Sequence, residues 1–292
     1  GSPSAAQGFR VQNMGNFSLT LPAPAPANGI RITGTNAADF VIQGVAPSGV
    51  LAAGASTATF NIVFTPGALG LRTANITVTW NNSDATMPPQ STSNYAIQGT
   101  GVQPLIEVRE VSVGGVVVTN GQAAANGRAF GNQDISAGAT AALTIVVRNT
   151  GGATMTVGLP TLAGANPGDF VLNTAGYLAS IPIGSSTSFT VAFDPTVTGV
   201  RGATVTFTHN GANTASPFTF GVSGTGTTPA VEVHEVTTGG TLVTNGQTAA
   251  NGRAFGSRDI AAGPSATLTI FVLNTGTASM TLGTPALGGT NP

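Results

Sequence analysis

The sequence predicts an all-β protein made of tandem β-sandwich domains, and three observations support this. Stretches with an apolar residue at every second position alternate with turns rich in Gly, Pro and Asn, as half-buried antiparallel strands require. No window shows the 3.6-residue period of an amphipathic helix. A long internal repeat indicates that the same folding unit occurs more than once.

The internal repeat has a period of about 125 residues. Residues 106–167 align without a gap with residues 231–292, and 40 of the 62 aligned positions are identical. An earlier copy is more distant, but residues 60–78 match residues 189–207 along their whole length. A unit of this length is a whole domain and not a solenoid repeat.

The repeat predicts three domains with boundaries at 1–102, 103–227 and 228–292. Only the second is expected to be complete, because the first lacks its opening strands and the third contains its N-terminal part only. The favoured explanation is a window from a longer polymer of the same repeat. The alternative is strand donation, in which residues 229–262 of one copy complete the first unit of the next. The residues that follow the donated segment, 263–292, would duplicate strands that the first unit already has, which counts against donation.

Alternation predicts the inward faces of the strands. Those in the complete repeat are Leu143, Ile145 and Val147; Phe189, Val191 and Phe193; Ala203, Val205 and Phe207; and Phe218, Phe220 and Val222. In the first repeat, Trp80 continues the inward stripe of Ala74, Ile76 and Val78, and His209 aligns with it as a residue at the rim of the core. Tyr95 aligns with Phe220 and is therefore expected in the core, too.

The amino-acid composition excludes several classes of binding partner and of metal or catalytic site. The nine basic residues are all arginine, charged residues make up 7%, and the formal net charge is -1. Such a chain lacks a basic patch for nucleic-acid phosphates or anionic membranes. It has no cysteine, which excludes disulfides, Cys-ligated zinc and thiol nucleophiles. With no apolar stretch long enough to span a bilayer, we expect neither a nucleic-acid partner nor membrane insertion of this segment.

The order of motifs within the repeat resembles that of a known family. An I-E-V or V-E-V start leads to NGRAFG, an NTG turn, a DF pair, FTVAFDP, GVRGATVTF and a closing SGTG. Two of these motifs recur in the second and third repeats. The NGRAFG motif has Asn126, Gly127, Arg128 and Phe130 in the second repeat, matched by Asn251, Gly252, Arg253 and Phe255 in the third. The NTG turn has Asn149 and Gly151 in the second repeat, matched by Asn274 and Gly276 in the third.

This order is similar to the choice-of-anchor D repeat of bacterial surface proteins, which is related to the ASH, or Hydin-type, immunoglobulin-like domains. The resemblance implies tandem immunoglobulin-like β-sandwich domains of about seven to nine strands, used in large secreted or surface-anchored proteins. It also implies acidic residues in the loop before the FG, where this chain has Gln122, Ala123, Ala124 and Asn126.

The charged positions that recur between copies allow two interpretations. They are Glu107 and Glu232, Glu110 and Glu235, Arg128 and Arg253, and Asp134 and Asp259. In the first, each is a structural tie, for instance Arg128 to Asp134 or to Glu110. In the second, the six acidic residues ligate Ca²⁺ and stiffen each junction, although the D-x-D-x-D pattern of calcium loops is missing. We predict structural ties and no metal site.

The histidines do not support catalysis. A catalytic group required in each unit should recur at one offset, but Arg109 stands in place of His234 and Trp80 in place of His209. No G-x-S-x-G elbow accompanies the serines. We therefore expect a protein that is not an enzyme and needs no cofactor.

The predicted function is a structural or adhesive repeat module of an extracellular bacterial filament, stalk or surface protein. Its partners would be neighbouring repeats or further copies. One alternative is a carbohydrate- or ligand-binding surface module acting through loops that differ between copies. Sugar binding usually needs exposed aromatic platforms, for which Tyr177 is the only candidate. A second alternative is an intracellular scaffold domain like the Hydin-type relatives.

Overall fold

The computed structural model of the protein describes residues 3–23, 29–83, 86, 88–112 and 114–289. Within these ranges the regular structure is β-strand with single turns of 3-10 helix at Ala37–Asp39, Asn126–Arg128, Pro167–Asp169 and Asn251–Arg253. The all-β prediction is therefore confirmed. None of these described turns has the length and apolar character needed to cross a bilayer.

The chain forms two compact units, which we call unit 1 (Gly1–Gln103) and unit 2 (Pro104–Pro292). The boundary falls in the short Val102–Pro104 linker. The predicted second and third repeats both lie within unit 2, and the number of tandem domains remains a prediction.

Unit 1 packs two antiparallel sheets around one core. Its described strands are β1 (Gln7–Phe9), β2 (Leu19–Leu21), β3 (Ile30–Thr33), β4 (Phe40–Gln43), β5 (Gly49–Leu51), β6 (Phe60–Phe64), β7 (Gly70–Asn82) and β8 (Gln90–Gly101). One sheet has the order β1-β6-β4, and the other has the order β3-β7-β2-β5, with β8 paired to β7. Both sheets supply the core, for example through Leu21, Phe60 and Ile76.

Unit 2 contains a larger sandwich. Its described strands are β9 (Ile106–Glu110), β10 (Val117–Val118), β11 (Ala129–Asp134), β12 (Leu143–Asn149), β13 (Met155–Thr156), β14 (Thr161–Ala163), β15 (Phe170–Asn173), β16 (Ser180–Ile181), β17 (Ser186–Phe193), β18 (Gly199–Phe207), β19 (Phe218–Thr227), β20 (Val231–Glu235), β21 (Leu242–Val243) and β22 (Ile270–Asn274). The two main sheets have the orders β10-β9-β12-β17-β15 and β11-β19-β18-β14. Strands β13 and β16 form a separate pair, and β21-β20-β22 form a third sheet.

The inward stripes predicted from alternation form the core of unit 2. Ile145, Val191 and Val205 come from both sheets and have no measurable exposure. Phe189 and Phe207 meet edge to face across the sandwich, with ring centroids 6.1 Å apart. This packing follows from period two, because every second side chain of a strand points to the same face.

The predictions for the two tyrosines are wrong. Tyr177, the expected platform, packs edge-on against Phe189 at 6.0 Å between ring centroids. Tyr95, expected in the core, is 58% exposed. Its counterpart Phe220 is covered by the guanidinium of Arg128, 5.6 Å from the ring centroid, whereas β8 pairs only with β7 among the described residues. The side chain at this position of the repeat is therefore buried where a further strand pairs with the edge of the sheet, as in unit 2, and exposed where β8 forms the edge, as in unit 1.

Candidate functional site

The most developed polar site of unit 2 holds its NGR turn. The side chain of Arg128 is fully buried, and its Nε donates to Oε1 of Glu110 at 2.7 Å. Its Nη1 donates to the carbonyls of Ala123 at 2.9 Å and Gly221 at 3.2 Å. The other carboxylate oxygen of Glu110 accepts the backbone N–H of Gly127 at 3.0 Å. Glu110 and the backbone therefore compensate the charge at Nε and Nη1 of Arg128, whereas its buried Nη2 has no hydrogen-bond partner among the described residues.

The same tie recurs in the second copy of the motif. Nε of Arg253 lies 2.5 Å from Glu235, and the N–H of Gly252 donates to that carboxylate at 3.0 Å. Here the arginine side chain is 17% exposed. The tie therefore forms locally, and among the described residues its full burial accompanies the contact of Arg128 with Gly221 on β19.

The recurring residues Glu107 and Glu232 occupy a second matched site. Arg109 donates to Glu107 at 2.9 Å and to the carbonyl of Gly115 at 2.6 Å. The hydrogen bond from Arg109 lowers the pKa of Glu107 below its usual range.

His234 takes the place of Arg109 in the second copy. Its Nδ1 lies 3.1 Å from the carbonyl of Gly240, and its Nε2 lies 3.2 Å from Glu232. Both partners are acceptors, so only the protonated ring can donate to both. The Gly240 carbonyl, followed by Glu232, accordingly raises the pKa of His234.

The six acidic residues considered as calcium ligands are not brought together. Asp134 accepts the N–H and the hydroxyl of Ser136, at 2.9 and 2.8 Å, and Asp259 accepts the N–H of Ala261 at 2.9 Å. The structure therefore pairs Arg128 with Glu110 and not with Asp134. No group of three His, Asp or Glu side chains that could hold a metal ion occurs within the described ranges.

The asparagine of the NTG turn ties that turn to its sheet. In unit 2, Nδ2 of Asn149 donates to the carbonyls of Ala153 at 2.7 Å and Ile181 at 3.0 Å, while its Oδ1 accepts the N–H of Gly151 at 3.0 Å. Asn274 repeats the contact with Gly276 at 3.0 Å. Both asparagines therefore have a structural role, as the repeat predicts.

Sequence reasoning missed the partner of the DF aspartate. Asp39 is paired with Arg72 at 2.5 Å, and this hydrogen bond lowers the pKa of Asp39. The second copy has Asp169 at 3.4 Å from Arg201, with the N–H of Thr196 donating to Asp169 at 3.0 Å. The arginine that recurs in GLR and GVR after each DF pair was the available signal.

The segment that contains Glu110 and Arg128 also contributes to the core of unit 2. We call residues 106–134 its opening module. Ile106, Val108 and Val118 from this module are buried to 4% exposure or less in the core. Strand β11 runs parallel to β19 and forms the edge of that sheet, with Asn132 opposite Thr225. The module therefore fills the core and pairs with β19.

Unit 1 has an open cleft at the corresponding place. The cleft has a volume of about 580 Å³ and is lined by Val11, Leu19, Trp80 and Tyr95, among others. The counterparts of Val11 and Leu19 are Val147 and Met155, which are fully buried in unit 2. Unit 1 therefore presents apolar core surface where unit 2 has its opening module.

No protein-family model and no curated protein matches the chain. Among solved structures, it is similar to the crystal structure of a protein of unknown function from Porphyromonas gingivalis W83. The identity is 14%, the TM-score is 0.31, and the match covers 75% of this chain and 90% of that chain. The resemblance to choice-of-anchor D repeats therefore rests on the sequence motifs alone.

Proposed function

We propose that the chain is a non-catalytic structural or adhesive module of an extracellular bacterial filament, stalk or surface protein, built from immunoglobulin-like repeats of the choice-of-anchor D type. One observation carries this proposal. What recurs between copies is a structural tie, Arg128 with Glu110 and Arg253 with Glu235, whereas the histidines do not recur.

The surface supports a role in assembly. Few charges have to be desolvated when such a surface packs against a neighbour, because charged residues make up 7% of the chain. Strand β8 is 12 residues long, and within the described residues it pairs with β7 on one side and with no strand on the other. Long unpaired edges are templates for pairing with another chain.

Labelling of intact source cells tests this role. An antibody raised against the purified chain should bind unpermeabilised cells and decorate surface structures in negative-stain electron microscopy. Proteinase K treatment of intact cells should remove the signal. An antibody against a cytoplasmic enzyme provides the control, since its signal should need permeabilisation. Signal seen only after permeabilisation contradicts the extracellular role and favours the intracellular scaffold.

The cleft of unit 1 favours carbohydrate binding as a second candidate. Its lining includes Phe17, Trp80 and Tyr95, and Phe17 and Tyr95 are 57% and 58% exposed. Aromatic rings combined with amides such as Asn16 provide stacking and hydrogen bonding for a sugar. A glycan array tests this candidate. Binding that is lost in Tyr95→Ala and retained in Tyr177→Ala, which lies outside the cleft, would support it.

A further inference from the structure

We propose that unit 1 has a ligand site that unit 2 lacks, and that this site binds an uncharged phenolic ring. The site, which we call the Pro47 pocket, has a volume of about 480 Å³ and lies between the loop that contains Pro47 and the residues that lead into β6. Leu21, Thr57 and Phe60 are among its other lining residues. The inference goes beyond a structural or adhesive role and does not depend on it.

The Pro47 pocket differs from the cleft at Trp80 and Tyr95, with which it shares only Leu21 among the described lining residues. Its lining residues lie between positions 21 and 61. Their counterparts in unit 2 lie between positions 157 and 190, outside the opening module. Both repeats contain this segment in full, so the pocket results from local differences between the two copies.

The first difference is the loss of an aromatic ring. The segments that begin with the two DF pairs align without a gap, and this alignment puts Pro47 where unit 2 has Tyr177. The Tyr177 ring packs edge-on against Phe189, with ring centroids 6.0 Å apart. In unit 1 the counterpart of Phe189 is Phe60, which lines the pocket. The place of a phenol ring beside this phenylalanine is therefore open.

The second difference is one extra residue in the segment that leads into β6. Residues 56–59 of unit 1 stand in place of residues 186–188 of unit 2, whereas the partner segments 9–13 and 145–149 are equally long. An extra residue opposite an unchanged partner is a β-bulge, which bends the strand and is frequent next to active sites. Strand β6 accordingly has five residues, whereas β17 has eight.

The hydrogen bond that fastens the loop in unit 2 is also replaced. There the N–H of Leu178 donates to Oγ1 of Thr187 at 2.7 Å, and Thr187 is 6% exposed. In unit 1 the hydroxyl of the counterpart Thr57 accepts the N–H of Val11 at 3.0 Å. Ala58, which follows Thr57, is exposed. The hydroxyl of unit 1 therefore holds the segment after β1, and no such bond closes the pocket against its loop within the described residues.

The lining of the pocket indicates the chemistry of its ligand. Leu21 and Phe60 form an apolar base and are 2% and 5% exposed. The amides of Gln43 and Asn61, which lie opposite each other on β4 and β6, also line the pocket. None of the described lining residues is charged, so an ion would lose hydration without compensation. A ring that meets Phe60 edge to face and carries one hydroxyl fits both surfaces.

Binding of p-cresol, which is the tyrosine side chain as a free molecule, tests the site on the full chain. In two-dimensional NMR of the isotope-labelled protein, we expect saturable shifts of the backbone amides of Ser48, Ala58 and Phe60. The dissociation constant should be about 1 mM, which is usual for a ligand of this size. Cyclohexanol should bind about threefold more weakly or worse, because it lacks the aromatic contact with Phe60.

A reciprocal pair of variants provides the matched control. Pro47→Tyr supplies the ring from the chain itself and should remove the p-cresol shifts in unit 1. Tyr177→Ala opens the corresponding place in unit 2 and should add a second set of shifts around Phe189. Shifts at Ser48 that persist unchanged in Pro47→Tyr would overturn the assignment of the pocket.

A blocked peptide with the sequence of residues 175–179 identifies the source of the ring. Binding about tenfold tighter than that of p-cresol would indicate a tyrosine of a partner polypeptide, and equal binding would indicate a small phenol; both retain the site. Absence of saturable p-cresol shifts overturns it. So does binding that appears only after the segment 22–29 is shortened, since this segment is six residues longer than its counterpart 158–159 and would then be the occupant.

Discussion

Arg128 and Glu110 form an ion pair with Nε 2.7 Å from Oε1, and the arginine side chain is completely buried. The equivalent pair of Arg253 and Glu235 leaves the arginine 17% exposed. The difference arises because the carbonyl of Gly221, on β19, accepts a hydrogen bond from Arg128. Because the same ion pair occurs once buried and once partly exposed, substitutions at Glu110 and Glu235 form a matched pair of variants.

Glu110→Ala should destabilise unit 2 by about 3–5 kcal/mol, because it leaves a buried guanidinium without its carboxylate. Glu235→Ala should cost less than half as much, since water reaches Arg253 and can replace part of the lost interaction. Urea unfolding followed by far-ultraviolet circular dichroism measures both. Equal losses would contradict the role of burial.

Tyr177→Phe should stabilise the protein by about 1 kcal/mol at neutral pH. The hydroxyl of Tyr177 is buried and has no hydrogen-bond partner among the described residues, and such a group carries a desolvation penalty. The midpoint of urea unfolding measures the gain. A clear loss of stability would indicate a partner for the hydroxyl.

Stability should also fall at alkaline pH because of Tyr177. Burial raises the pKa of its phenol, so the unfolded chain releases this proton first. The free energy of unfolding should therefore decrease as the pH rises above the ordinary tyrosine value of about 10. Tyr177→Phe should reduce this decrease, as measured by unfolding midpoints from pH 8 to 11. An unchanged slope would argue against burial of the phenol.

His234 should titrate above the ordinary histidine value of about 6.5. The Gly240 carbonyl and Glu232 both favour the protonated ring, so the resulting stabilisation is present below the unfolded pKa and is lost as the pH rises through the folded one. An NMR titration of the ring measures this pKa, and Glu232→Gln should lower it. His234→Arg restores the arrangement of Arg109 and should abolish the pH dependence of this site. No change in Glu232→Gln would remove the carboxylate from the explanation.

Calcium should leave the thermal unfolding midpoint unchanged. The acidic residues that recur between copies have nearby partners, as in Glu110 with Arg128 and Asp134 with Ser136. A metal that binds only the folded chain must raise the midpoint. Differential scanning calorimetry with excess calcium and with chelator compares the two conditions. A clear rise with calcium would restore the interpretation of these residues as ligands.

The sequence by itself determined the strand character and the inward faces of unit 2. Alternation identifies Ile145, Val191 and Val205 as core residues, because the side-chain period of a strand is a local property of the backbone. Repetition likewise identified Asn149 and Arg128 as structural, since both copies need the same local ties. The partner of Arg128 stayed open between Glu110 and Asp134, because sequence spacing does not fix side-chain geometry.

Only the tertiary structure decided which positions are covered. Tyr95 and Phe220 occupy equivalent positions of their strands, yet one is 58% exposed and the other 1%. The cover of Phe220 comes from Arg128, which lies more than ninety residues earlier in the chain. Burial depends on such long-range pairing of sheet edges, and no local pattern around Tyr95 records whether that strand is present.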